Sequence, residues 1–196
     1  MLSASFVTAL GDAERYHHFQ VRKSTSIPYF SHLMAVSGLV LDAGGSETEA
    51  IAALLHDAPE DCGGAPVLAE IKEKFGPEVG AIVDGCSDAF PLVGEEKPPW
   101  RIRKEAYIAH LRAASASTML VSAADKLHNL RSIQADYDVM GDAIFDCFDA
   151  PVPKRENVLW YYRSLYDVYT AEKSPVDARR DRLTLPLGRL LSAFAA

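Results

Sequence analysis

The stretch Ile51-Ala52-Ala53-Leu54-Leu55-His56-Asp57-Ala58-Pro59-Glu60-Asp61 constrains the fold most. An apolar run reads as a core helix, yet it ends in a His-Asp pair, and an acidic pair follows three positions later. Asp and Glu are rarely buried unless they are paired or bound to a cation. A chain that carries these groups into its core must bring partners to them from elsewhere in the sequence. Imidazole and carboxylate together suit Mn, Fe or Zn, and neighbouring carboxylates suit acid–base work on water.

The pattern along the chain is helical. Phe6, Ala9, Leu10 and Ala13 predict a first helix to about Phe19. The segment from Gln20 to Ile27 is polar and basic and reads as a loop. Pro28 is expected in the first turn of a helix that carries His32, Ala35, Val36, Leu39 and Val40 and stops at Gly44-Gly45. Ser46 and Glu49 have capping-box spacing, and the helix they start is expected to end at His56-Asp57. Helices then follow to Gly76, from Pro77, over Trp100–Ala114, from a Ser117 cap to Met140, over Asp142–Cys147 and over Arg155–Glu172. The segment from Asp88 to Pro99 reads as a loop because of its prolines, and a last short helix is expected after Pro186. No stretch alternates like a strand, so the expected class is all-α, a compact bundle of about eight to ten helices. Residues 1–173 are expected to form one domain, with the Arg-rich segment 174–196 packed on it.

With 48% hydrophobic residues, the 196-residue chain can build one sizeable core. A net charge of −7 argues against a nucleic-acid polymer or a membrane surface as partner. Cys62, Cys86 and Cys147 have no metal-site or disulfide-framework spacing, which suits a reducing, cytoplasmic setting. No apolar run is long enough to span a bilayer, and the first residues lack a basic signal-peptide region. The sequence sets no oligomeric state.

Two further stretches supply partners for His56 and Asp57. His32 lies on an apolar helix face beside Leu33 and Val36. Asp125 arrives in the apolar half of the long helix, with Asn129 one turn later. Two imidazoles and two carboxylates from three helices make a mononuclear metal site with open positions.

These motifs resemble the HD superfamily of metal-dependent phosphohydrolases, whose order is H…HD…D. More narrowly they resemble the hydrolase domain of the RelA/SpoT homologues and the small alarmone hydrolases. Arg22-Lys23 with Pro28-Tyr29-Phe30-Ser31-His32 resembles RK…PYxxH. Leu55-His56-Asp57-Ala58-Pro59-Glu60-Asp61 resembles LHDxxED. Phe75-Gly76-Pro77-Glu78-Val79 resembles FGxEV, and Ala124-Asp125-Lys126-Leu127-His128-Asn129-Leu130-Arg131 resembles ADxLHNxR. The resemblance implies that His32, His56, Asp57 and Asp125 hold Mn²⁺, with Zn²⁺, Fe²⁺ or Co²⁺ as alternatives. It implies that Glu60 and Asp61 orient and activate water, that Asn129 holds the ribose or 3′-phosphate region, and that Arg22 and Lys23 flank guanine. The basic run Lys97, Arg101, Arg103, Lys104 is placed to meet phosphates. The implied reaction removes pyrophosphate from the 3′ position of ppGpp or pppGpp, a small guanine nucleotide. No synthetase domain is expected within these 196 residues. The alternatives are another nucleotide phosphohydrolase, such as an NADPH 2′-phosphatase, and an inactive nucleotide-sensing HD module. One departure is Cys62, where the pattern has Thr after Glu-Asp.

Overall fold

A computed structural model describes residues 1–23, 25–87, 98–171 and 178–194. The helices are α1 (Ala4–His17), α2 (Phe30–Asp42), α3 (Glu47–Leu55), α4 (Ala58–Cys62), α5 (Ala65–Phe75), α6 (Pro77–Cys86), α7 (Trp100–Leu111), α8 (Ala116–Met140), α9 (Lys154–Thr170) and α10 (Ala178–Ala193), with a 3₁₀ segment at Gly141–Cys147. Among the described residues the only extended pairing is one isolated bridge, Val21 to Pro28. The class is all-α, as the periodicity implied.

Helix α3 is the centre. Ala50, Ala52, Ala53, Leu54 and Leu55 are fully buried, and α1, α2, α6 and α8 surround them. The small alanines let neighbouring helices approach closely, so α3 is apolar on nearly every side and has no solvent face to signal. The expected capping box is present: Ser46 Oγ accepts from the Glu49 amide, and Glu49 Oε2 accepts from the Ser46 amide at 2.6 Å. Just before it, Gly44 has φ +89°, and a Cβ on Gly45 would stand 2.5 Å from Val40 Cγ1. Only glycines close α2 so tightly onto α3.

Several boundaries differ from expectation. Pro28 does not open α2. It pairs with Val21 across a small hairpin in which the Arg22 amide donates to Ile27 O, and α2 starts at Phe30. The cap of α8 is Ser115, not Ser117: Ser115 is extended and accepts from the Thr118 amide, while Ser117 already lies within the helix. A short helix, α4, follows Asp57 in a stretch to which the sequence assigned no element. The last helix starts at Ala178 and runs through Pro186. A proline inside a helix costs roughly 3 kcal/mol, but Leu183, Leu187 and Leu191 continue one buried stripe across it against α8 and α9. Arg179 also pairs with Glu49 at 2.9 Å, and Arg182 donates to Asp42 O. The loop read between Asp88 and Pro99 falls, apart from its last two prolines, outside the described residues. Among the described residues no helix is long and apolar enough to cross a membrane.

Candidate active site

Three helices deliver the charged cluster. His32 projects from the first turn of α2, His56 and Asp57 follow α3, and Asp125 lies mid-way along α8. His32 is fully buried, and His56 and Asp125 are nearly so. His32 Nε2 is 3.3 Å from Asp125 Oδ1 and 3.5 Å from Asp57 Oδ2. His56 Nε2 is 3.0 Å from Asp57 Oδ2 and 3.7 Å from Asp125 Oδ1.

The two Nε2 atoms are buried and have no hydrogen-bond partner. Such orphaned groups call for a reason. His56 Nδ1 sits 2.8 Å from Ala53 O, so it donates there, and its Nε2 keeps the lone pair. His32 Nδ1 lies 2.8 Å from His128 Nδ1. Burial above all, with the Arg22 charge adding to it, pushes His128 down to about 4, so it is neutral and able to accept. His32 then donates through Nδ1 and also turns a lone pair inward. The donors of His32, His56 and Asp57 lie within 4.8 Å of one another, and Asp125 reaches both rings. Two imidazole lone pairs and two carboxylates suit a divalent transition ion, and the cluster could hold one.

Charge agrees with that donor set. Burial alone would raise both acids, yet each is held well below the usual carboxylate range: Asp57 by the positive charge of His56, Asp125 first by the Lys126 ammonium. Burial would lower His56, but Asp57 and Asp125 together raise it well above the ordinary imidazole value. Two buried acids thus demand a cation, and without a metal a proton held on His56 serves as one. Outer contacts brace them. Tyr29 donates to Asp57 Oδ2 at 2.6 Å, and Lys126 and Asn129 donate to Asp125.

A cleft of about 490 Å³ opens beside the cluster. Glu60, Asp61, Lys126 and Asn129 are among its lining residues. Arg22, Lys23, Arg103 and Lys104 supply positive charge, and Trp100, Phe148 and Tyr161 supply flat apolar walls. Arg22 Nη1 donates to Asn129 Oδ1 at 3.0 Å, and Lys23 pairs with Asp149 at 3.3 Å. Of the basic run, Arg103 and Lys104 face the cleft. Arg101 is not among its lining residues: Glu105 and Asn157 hold its guanidinium, 3.2 Å above the Trp160 ring. Lys97 lies outside the described residues. Cys62 donates its thiol to Tyr16 O at 3.3 Å. Burial and the charges of Asp61 and Asp57 push it up to about 11, so it keeps its hydrogen and can donate as a hydroxyl would.

Residues 9–148 match the model of the family described as HD domain. The chain belongs to the HD-domain family. Among its curated relatives, a Mycobacterium leprae protein named probable GTP pyrophosphokinase is 35% identical over 123 residues, 62% of this chain. A Synechocystis protein named probable guanosine-3′,5′-bis(diphosphate) 3′-pyrophosphohydrolase is 30% identical over 118 residues. This HD-domain chain spans about 15% of the length of each. A solved structure described as a metazoan ortholog of SpoT that hydrolyzes ppGpp and plays a role in starvation responses superposes with a TM-score of 0.76 at 25% identity. That match covers 98% of this chain and 97% of the other. A Listeria monocytogenes structure shares the fold, with a TM-score of 0.68 at 24% identity over 84% of this chain and 99% of that one.

Within the HD domain, sequence reasoning passed over Tyr29, Lys126 and His128 as participants. All three stand inside the quoted motifs. Their signal was spacing: His128 is three residues after Asp125 and shares its helix face, and Tyr29 is three before His32.

Proposed function

We propose that this HD domain hydrolyses ppGpp and pppGpp at the 3′ position, releasing pyrophosphate and leaving GDP or GTP, with a divalent cation, Mn²⁺ first, held by His32, His56, Asp57 and Asp125. One observation carries the reading. Two buried imidazole nitrogens converge on two carboxylates, and the side chains that brace those carboxylates, Tyr29, Lys126 and Asn129, line a basic, aromatic cleft. The likeness to the SpoT ortholog described as hydrolysing ppGpp supports the substrate.

When bound, a divalent cation acidifies water and offsets phosphate charge. The chain's own residues do the rest. Glu60 and Asp61 orient the water and take its proton as its oxygen bonds to the phosphorus that bears the ribose 3′-oxygen. The P–O3′ bond breaks, and the proton passes to the 3′-oxygen. General acid–base help of this kind is worth about 10² to 10⁴ in rate. Lys126, held by Asp125, faces the cleft as a positive charge for phosphate oxygens. Arg22 offers a planar cation for the base, and Asn129 meets the ribose side. Arg103 and Lys104 meet the distal phosphates.

The test is a panel of ppGpp, pppGpp, NADPH and dGTP with Mn²⁺, read by product analysis. Pyrophosphate and GDP are expected from ppGpp. Orthophosphate as the sole phosphate product, or NADPH turnover with none of ppGpp, would overturn the substrate. Tight ppGpp binding without turnover would make the domain a sensor.

A further inference from the structure

His17 is a buried imidazole with no role in the reaction above. It ends α1 and is 2% exposed. Its Nδ1 lies 2.6 Å from Gln20 Oε1, and Gln20 Nε2 donates to Asp61 Oδ2 at 2.8 Å. An ionised carboxylate only accepts, so the Gln20 amide turns its NH₂ toward Asp61 and its carbonyl toward His17. A carbonyl also only accepts, so His17 Nδ1 carries a hydrogen.

The ring is held on its other sides too. It stacks on Tyr29 with centroids 5.1 Å apart and planes 20° apart, and the Cys62 thiol lies 3.8 Å from Nδ1. Tyr29 donates to Asp57. One imidazole therefore ties together two acids of the site, Asp57 across Tyr29 and Asp61 across Gln20. Asp61 is exposed on the five-residue α4. A carboxylate at such a place samples several rotamers unless donors hold it.

We propose that Gln20 is a positioning residue that sets the Asp61 carboxylate, with His17 as its buried anchor; this rests on the proton-handling role given to Asp61 above. Gln20 acts through Asp61 and touches no substrate.

Gln20→Met removes the amide at a half-exposed loop site, where folding is tolerant. Its kcat for ppGpp should fall about 10- to 100-fold, since a misplacement of about 1 Å can cost 10². KM and bound Mn²⁺ should match wild type, while Tm should fall by a few degrees because the buried His17 N–H loses its acceptor. Gln20→Glu should fall further, because a second carboxylate repels Asp61. In an Asp61→Asn background Gln20→Met should add nothing, as expected for two groups acting as one. Separately, ¹⁵N-histidine NMR of the wild type should show His17 protonated at Nδ1, whatever the substrate proves to be. A bare Nδ1 overturns the relay with no reference to activity. Wild-type kcat in Gln20→Met beside an impaired Asp61→Asn overturns the relay and leaves the proposed function standing. Wild-type kcat in Asp61→Asn removes the role of Asp61, and the relay with it.

Discussion

Removing Asp125 separates its two jobs. Its Oδ1 meets both imidazoles, and its Oδ2 takes the Lys126 ammonium at 2.5 Å. Asp125→Ala therefore strips a candidate ligand and also leaves a buried ammonium unpaired. Breaking a buried pair by deleting one partner costs about 3 to 5 kcal/mol. The Lys126 side chain is 15% exposed, so the lower end applies, near 3 kcal/mol. At about 2 to 4 °C per kcal/mol for a domain of this size, metal-free Tm should drop roughly 6 to 12 °C, with helical content kept. Adding Lys126→Met removes the stranded charge, and most of that loss should return. Metal should not: neither variant should retain Mn²⁺ after gel filtration, measured by elemental analysis. Full metal occupancy in Asp125→Ala would refute the ligand assignment. A wild-type Tm in the single variant would refute the argument from the buried ion pair.

Glu60→Gln is nearly isosteric but cannot take a proton, so turnover should fall about 10²- to 10⁴-fold while Mn²⁺ stays bound; metal lost in step with activity would make Glu60 a ligand. Arg22→Ala should raise KM for ppGpp far more than it lowers kcat, because the base lies far from the reacting phosphorus; a kcat loss at unchanged KM would contradict that. In the metal-free protein His56 is raised well above its unfolded value near 6.5, so its contribution is full below that pH and is lost as pH rises through the folded value. His128 is lowered to about 4, so its contribution is lost as pH falls from about 6.5 toward 4. Metal-free Tm should therefore decline above about pH 6.5, and saturating Mn²⁺ should reverse the slope, since metal replaces the proton; a flat metal-free profile from pH 6.5 to 9 would sink this.

The fold was legible where one residue type has one structural meaning. Ser46 with Glu49, and Gly44-Gly45 before them, could only mark the break between α2 and α3. Proline has several meanings, and there the reading slipped. Pro28 was expected to start a helix but fills a bridge position where no donor is needed. Pro186 was expected to precede a helix but sits inside one, because Leu183, Leu187 and Leu191 bury the same stripe on both sides of it. Local preference set both expectations, and tertiary burial decided both outcomes.

The candidate site divides along a similar line. His32, His56, Asp57 and Asp125 stood out because a charged group on an apolar helix face contradicts its surroundings, and that contradiction is visible in one dimension. Their supports raise no such conflict. Tyr29 beside a proline, Gln20 in a polar loop and His128 on a mixed helix face are each ordinary residues where they stand. Only the closure of the Gln20–Ile27 hairpin, with Val21 paired to Pro28, carries Gln20 to Asp61 on α4 and Tyr29 to Asp57 just before it. The Arg22 guanidinium reaches Asn129 through that same closure, across 107 residues of sequence. The hairpin thus brings two cations, Arg22 and Lys23, to the cleft and helps bring one donor to each of two acids, so a change that opens it should damage substrate affinity and turnover together.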